Sequence, residues 1–153
     1  QKNIHAYVFG EHGDTSFIPW SGAYVSGVSL DEYYETVEKM GRNVTKIVKD
    51  AMLEYVRTSG GQVIANKGAT FYAVSVAVCK LVATILSSSD SVATVSSMMH
   101  GEYGVEDVAL STLTIVDRTG VRGKIMNHLT DGEVDKLRAS AAKLKDTISK
   151  LSI

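Results

Sequence analysis

The spacing of apolar residues changes period three times along this chain, and that succession limits the folds open to it. Residues 1–30 read as short strands broken by Gly10, Gly13, Pro19, Gly22 and Gly27. Tyr33, Val37, Met40, Val44, Ile47, Val48, Ala51, Tyr55 and Val56 then follow helical spacing with charged residues between them. The pattern predicts a long amphipathic helix, with Asp31 as a cap near its start. Gly41 is expected to bend or divide that helix, and Gly60-Gly61 to end or interrupt it. Residues 62–86 carry apolar side chains on most faces, which predicts a central helix packed on several sides. Within them the polar run Lys67-Gly68-Ala69-Thr70 stands out, Gly68 weakening a helix by roughly 1 kcal/mol relative to alanine.

Residues 91–99 and 108–116 return to strand-like runs rich in β-branched residues, with turns at Gly101 to Gly104 and Asp117 to Gly120. An antiparallel sheet is expected there. Thr130 and Glu133 have capping-box spacing, and Val134, Leu137, Ala141, Leu144, Ile148 and Leu151 form one stripe, so a packed helix closes the chain. The order strands, helices, strands, helix predicts an α+β domain over residues 1–153, with long helices packed on antiparallel strands.

Several functions are disfavoured at this level. No Gly-x-Gly-x-x-Gly follows a strand and no P-loop occurs, so no Rossmann domain is expected in this chain. Sixteen basic against 17 acidic residues give a formal charge of -1, which draws the chain to neither nucleic acid nor an anionic membrane. The longest apolar region, residues 69–86, is interrupted by Lys80 and reads as a core helix rather than a membrane span. Lone Cys79 can form no internal disulfide and is expected as a small buried hydrophobe. With no secretory leader visible, a cytoplasmic location is expected. His100, His128 and Cys79 lack metal-ligand spacing, so no metal is expected, and no Gly-x-Ser-x-Gly nucleophile elbow occurs.

Chemistry concentrates near the start. The strand-like run Ile4 to Phe9 breaks at Gly10, and Gly10-Glu11-His12-Gly13-Asp14 presents a histidine between glycines. Histidine changes charge near neutral pH and serves as a general acid or base. On spacing alone the same residues also describe a loop histidine with no chemical task.

The run Gly10-Glu11-His12-Gly13-Asp14-Thr15-Ser16 followed by Pro19-Trp20-Ser21-Gly22 resembles the active-site signature of the L-lactate dehydrogenases, in the lactate/malate dehydrogenase family. The resemblance continues through Asn66-Lys67-Gly68-Ala69-Thr70, through Tyr103-Gly104-Val105-Glu106-Asp107-Val108-Ala109-Leu110-Ser111 and into the last helix, nearly the whole chain. It implies the C-terminal catalytic and substrate-binding domain of such an enzyme, the N-terminal NAD-binding domain lying outside this sequence. By the same resemblance His12 exchanges a proton with the substrate's 2-keto or 2-hydroxyl oxygen while NAD exchanges hydride. Thr70 matches a position beside the nicotinamide carboxamide and the substrate pocket; a helix threonine bonding its own backbone is the plain reading.

Gly60 and Gly61 fall where these enzymes often carry larger residues, so a roomier wall for longer 2-oxo acids is expected. His5 matches a position that helps bind fructose 1,6-bisphosphate in bacterial allosteric members. The family's orienting aspartate and substrate-binding arginines fall outside the chain, and Asp14 occupies a different place in the motif. The implied partners are a small 2-oxo or 2-hydroxy acid and identical subunits, with a tetramer as the parent assembly; the fragment alone is expected to be inactive. Malate dehydrogenase, a branched 2-hydroxy acid (2-hydroxyisocaproate-type) dehydrogenase and a non-catalytic oligomerisation fragment are the competing readings.

Overall fold

The computed structural model describes residues 3–87 and 90–151. Two three-stranded antiparallel sheets carry the fold. In the first, β1 (Ile4–His5), β2 (Tyr24–Val25) and β3 (Val28–Ser29) pair in that order. The rest of the Ile4-to-Phe9 run leaves this sheet, and Phe9 instead exchanges backbone hydrogen bonds with Phe17. The second sheet comprises β4 (Ser91–His100), β5 (Glu106–Asp117) and β6 (Gly120–Lys124), with Ser91 opposite Val116 and Ser97 opposite Leu110. Strand β6 is an addition to the sequence reading; its two glycines and charged residues give it no strand signature.

Helix α1 (Leu30–Lys39) begins directly from β3. Its cap is Ser29 rather than the expected Asp31, because Ser29 and Glu32 close a reciprocal capping box, while Asp31 in the first turn pairs with Lys49 at 3.9 Å. The expected long helix is divided: Met40 ends α1, Gly41 takes a φ of +72°, and the chain runs without regular structure to Val48. Val44 and Ile47 keep their apolar partners all the same, packing against Leu30 and Tyr34, with the Ile47 amide donating to the Tyr34 hydroxyl at 3.0 Å.

Helix α2 (Lys49–Lys67) continues straight through Gly60 and Gly61, contrary to the expectation that they break it. It stops at Gly68, whose left-handed φ of +79° lets its amide donate to the Ile64 carbonyl at 2.7 Å. Two interior glycines tax the helix, but only a residue forced into the left-handed region terminates it. Helix α3 (Tyr72–Leu86) follows, so the expected single central helix over residues 62–86 is two helices. Neither α2 nor α3 has a buried residue, which corrects the expectation of packing on several sides. Apart from the contact of α3 with β5, their apolar faces find no covering element among the described residues, and Cys79 is exposed rather than buried.

The core lies elsewhere. Helix α4 (Asp131–Ser149) starts with the expected capping box, Thr130 accepting from the Glu133 amide and Glu133 from the Thr130 amide. It lays Leu137 and Ala141 on Phe9, Phe17, Met99, Val108 and Leu110, with Val134 and Leu144 at the edge. Phe9, Met99, Leu110 and Leu137 are fully buried. On β5, Thr112 and Thr114 are also buried, and Lys124 of β6 reaches Ser97 Oγ at 2.5 Å and Thr112 Oγ1 at 3.3 Å. Burial pushes the Lys124 ammonium below the usual lysine range, a shift that Glu102 opposes.

Candidate active site

The segment from Gly10 to Ser16 is a loop tied to the core at several points. Gly10 exchanges backbone hydrogen bonds with Ser111 of β5 at 2.9 and 3.0 Å, and its φ of +99° turns the chain away from the sheet. A Cβ at Gly10 would lie 2.7 Å from Ser140 Oγ, so loop and α4 touch where only glycine fits. The Ser16 amide closes a turn onto the Gly13 carbonyl at 3.1 Å. Inside that turn the Glu11 carboxylate accepts the Thr15 hydroxyl at 2.5 Å and the Thr15 amide at 3.2 Å. His12 projects from this framework and is exposed. Among the described residues no side chain hydrogen-bonds the His12 ring, Asp14 included.

His12 opens onto a cleft of about 1160 Å³ whose opposite side is α2 and the α2–α3 junction. Gly60, Gly61 and Thr70 line the same cleft. Four residues singled out from sequence, distant along the chain, therefore share one cavity. Thr70 stands in the break after Gly68, exposed, rather than inside a helix as its plain reading had it. Nothing lies within 4 Å of a Cβ added at Gly60 or Gly61, so this wall stands open.

Arg57, one turn before Gly60, also lines the cleft and donates to the Ser16 carbonyl. Sequence reading missed it, because in a charged helix face one arginine looks like another. The signal that marks it is helical spacing: Arg57, Gly60, Gly61 and Ile64 fall at i, i+3, i+4 and i+7 and share the cleft face. The guanidinium brings a fixed positive charge to a cavity that also holds Glu11 and Asp14.

His5 lies apart from this cleft. It lines a separate pocket of about 350 Å³ with His128, Asn127 and Tyr24. Just beyond the loop, Ser21 bonds Glu133 of α4 through its amide at 3.1 Å and its hydroxyl at 2.5 Å. Burial pushes the Glu133 carboxyl up, but the Ser21 and Thr130 hydrogen bonds outweigh it and hold the group below the usual carboxylate range.

The residues lining the cleft fit the nicotinamide end of a dinucleotide. A flat ring has room beside Thr70 and the open glycine wall. Two helix starts are already satisfied by side chains, that of α1 by the Ser29–Glu32 capping box and that of α4 by Thr130 and Glu133.

A family model described as the lactate/malate dehydrogenase, alpha/beta C-terminal domain matches residues 1–152. The L-lactate dehydrogenase of Thermoanaerobacterium saccharolyticum is 42% identical over 152 residues, which make up 99% of this chain and 48% of that protein. Among solved structures, the L-lactate dehydrogenase from Clostridium thermocellum superimposes with a TM-score of 0.81 at 34% identity, covering 99% of this chain and 48% of its own. A malate dehydrogenase from Archaeoglobus fulgidus, solved in complex with NADH, gives a TM-score of 0.80 at 27% identity, covering 97% of this chain and 44% of its own. The chain spans about half the length of the curated relatives it matches.

Proposed function

As the chain belongs to the lactate/malate dehydrogenase C-terminal domain family, we propose that it is the substrate-binding and catalytic half of an NAD-dependent L-lactate dehydrogenase interconverting pyruvate and L-lactate. The observation that carries this reading is the convergence of His12, Thr70, Gly60 and Gly61 on one cleft. When bound, NAD supplies or accepts the hydride. His12 handles the proton: as imidazolium it donates to the 2-keto oxygen while negative charge builds there, and as neutral imidazole it takes the proton from the 2-hydroxyl in reverse. The Thr70 hydroxyl offers one donor and two acceptor lone pairs to ligands in the cleft, at the nicotinamide and substrate. A preceding nucleotide-binding half supplies the phosphate site, the aspartate that orients His12 and the arginine that clamps the substrate carboxylate.

The open glycine wall favours a second reading in substrate range, a branched 2-hydroxy acid dehydrogenase accepting longer 2-oxo acids such as 2-oxoisocaproate. Malate dehydrogenase shares the chemistry and is separated by its preference for oxaloacetate. His5 and His128 on the smaller pocket support an anion site for fructose 1,6-bisphosphate at a subunit interface of a tetramer. No described helix is long and apolar enough to cross a membrane.

The test is NADH oxidation with pyruvate, 2-oxoisocaproate and oxaloacetate by the full-length protein and by the 153-residue chain. Turnover by the whole and none by the chain alone is expected, with His12→Asn lowering kcat by about 10³-fold, within the usual range for a general acid. A His12→Asn protein that is folded and as active as wild type would refute the reading; appreciable turnover by the chain alone would refute the assignment of the missing parts. If fructose 1,6-bisphosphate changes neither pyruvate affinity nor tetramer stability, the effector site falls.

A further inference from the structure

We propose that Ser140 of α4 is a positioning residue for His12, holding the catalytic loop from behind through a closed ring of hydrogen bonds. Ser140 is fully buried, 129 residues away in sequence from the loop position it binds. Its Oγ accepts the amide of Glu11, the residue before His12, at 2.8 Å, and lies 3.0 Å from Thr15 Oγ1.

A hydroxyl carries one proton, and Thr15 shares its own between two acceptors, Glu11 Oε1 and Ser140 Oγ. Thr15 gives its proton to Glu11 Oε1 at 2.5 Å, the shorter and charge-assisted bond. Ser140 therefore accepts from both the Glu11 amide and the Thr15 hydroxyl. The ring closes from the Glu11 amide to Ser140, and from the Thr15 hydroxyl to both Ser140 and the Glu11 carboxylate. It grips the loop on both sides of His12, at positions 11 and 15, while the histidine itself stays free to meet a ligand.

The grip is tight in space as well as in bonding. Gly10 approaches Ser140 so closely that no side chain fits between them, and the Gly10–Ser111 backbone pair holds the loop's other flank to β5. Loop, strand and C-terminal helix thus meet around one hydroxyl. Without it the Glu11 amide loses its partner, and the loop relaxes by moving the residues that flank His12. Proton transfer is sensitive to such movement, a displacement of about 1 Å costing on the order of 10²-fold in rate.

The inference rests on His12 being the proton donor, and the experiment separates the two. In the full-length protein, Ser140→Ala is expected to lower kcat for pyruvate reduction by at least about tenfold with KM for NADH unchanged, since the cofactor is held mainly by the other half. Thr15→Val should lower kcat in the same way and Thr15→Ser, which keeps the hydroxyl, should restore it; this pair carries the test if Ser140→Ala does not fold. Amide hydrogen exchange at Glu11 and His12 is read on the same variants and is expected to accelerate in Ser140→Ala and Thr15→Val. Exchange unchanged from wild type overturns the grip itself. Accelerated exchange with wild-type kcat overturns the positioning role. A wild-type protein that reduces no 2-oxo acid sinks the functional reading instead, while exchange still reports on the grip.

Discussion

Replacing Glu133 by glutamine should make the protein's stability depend on pH in a way that can be worked out from three hydrogen bonds. The carboxylate, 8% exposed, accepts the Thr130 amide at 2.9 Å, the Ser21 amide at 3.1 Å and the Ser21 hydroxyl at 2.5 Å. Glutamine keeps one accepting oxygen but turns an NH2 group toward donors and removes the charge. Bonds to charged groups contribute about 1.5–3 kcal/mol against about 1 kcal/mol for neutral ones, so the loss at neutral pH is about 2–3 kcal/mol. The sign of the pH effect follows from the depressed pKa. Burial alone would raise it, yet the Ser21 and Thr130 bonds hold it below the ordinary 4.5. The wild-type advantage is therefore complete above the unfolded value and is lost as pH falls through the folded one. Urea unfolding followed by circular dichroism, at about pH 7 and again near pH 3, should show the gap between wild type and Glu133→Gln shrink by more than half. An equal gap at both values, or none at neutral pH, would refute the claim that this carboxylate is held charged by its neighbours.

Three further outcomes follow from packing and backbone freedom. Leu137→Ala removes a fully buried side chain from the α4–β5 core and should cost about 2–5 kcal/mol, read as a lower thermal midpoint. Gly61→Leu should narrow the cleft from its open wall, lowering kcat/KM for 2-oxoisocaproate more than for pyruvate, while Gly60→Ala should stabilise α2 by about 0.5–1 kcal/mol.

What the sequence disclosed depends on whether a residue's partner lies nearby along the chain. Helix α4 was legible because Thr130 and Glu133 cap it locally and Leu137 and Ala141 repeat at helical spacing. The β4–β5 pairing was legible from two β-branched runs joined by a glycine-bounded turn. His12 and Thr70 were legible through their motifs, and the fold brings them to one cavity. Ser140 was not, since its partners are Glu11 and Thr15 at the far end of the chain. Arg57 was hidden for a similar reason: its acceptor is a backbone carbonyl, which leaves no trace in composition. The helix boundaries at Met40 and Gly68 misled because apolar periodicity persists across them, continued by Val44 and Ile47 in extended chain.

The bareness of α2 and α3 bears on how the cleft behaves in time. One wall carries His12 on a loop fastened to buried β5 and α4; the other carries Gly60, Gly61 and Thr70 on helices with nothing buried. Local opening free energies track buried contacts, so the two walls belong to cooperative units of unequal strength, the histidine side opening only with the core and the glycine side opening far more readily. A ligand that bridges Thr70 to His12 couples the weaker unit to the stronger one. With the cleft occupied as proposed, ligand binding would act on the folding equilibrium of some forty residues as well as on the site itself.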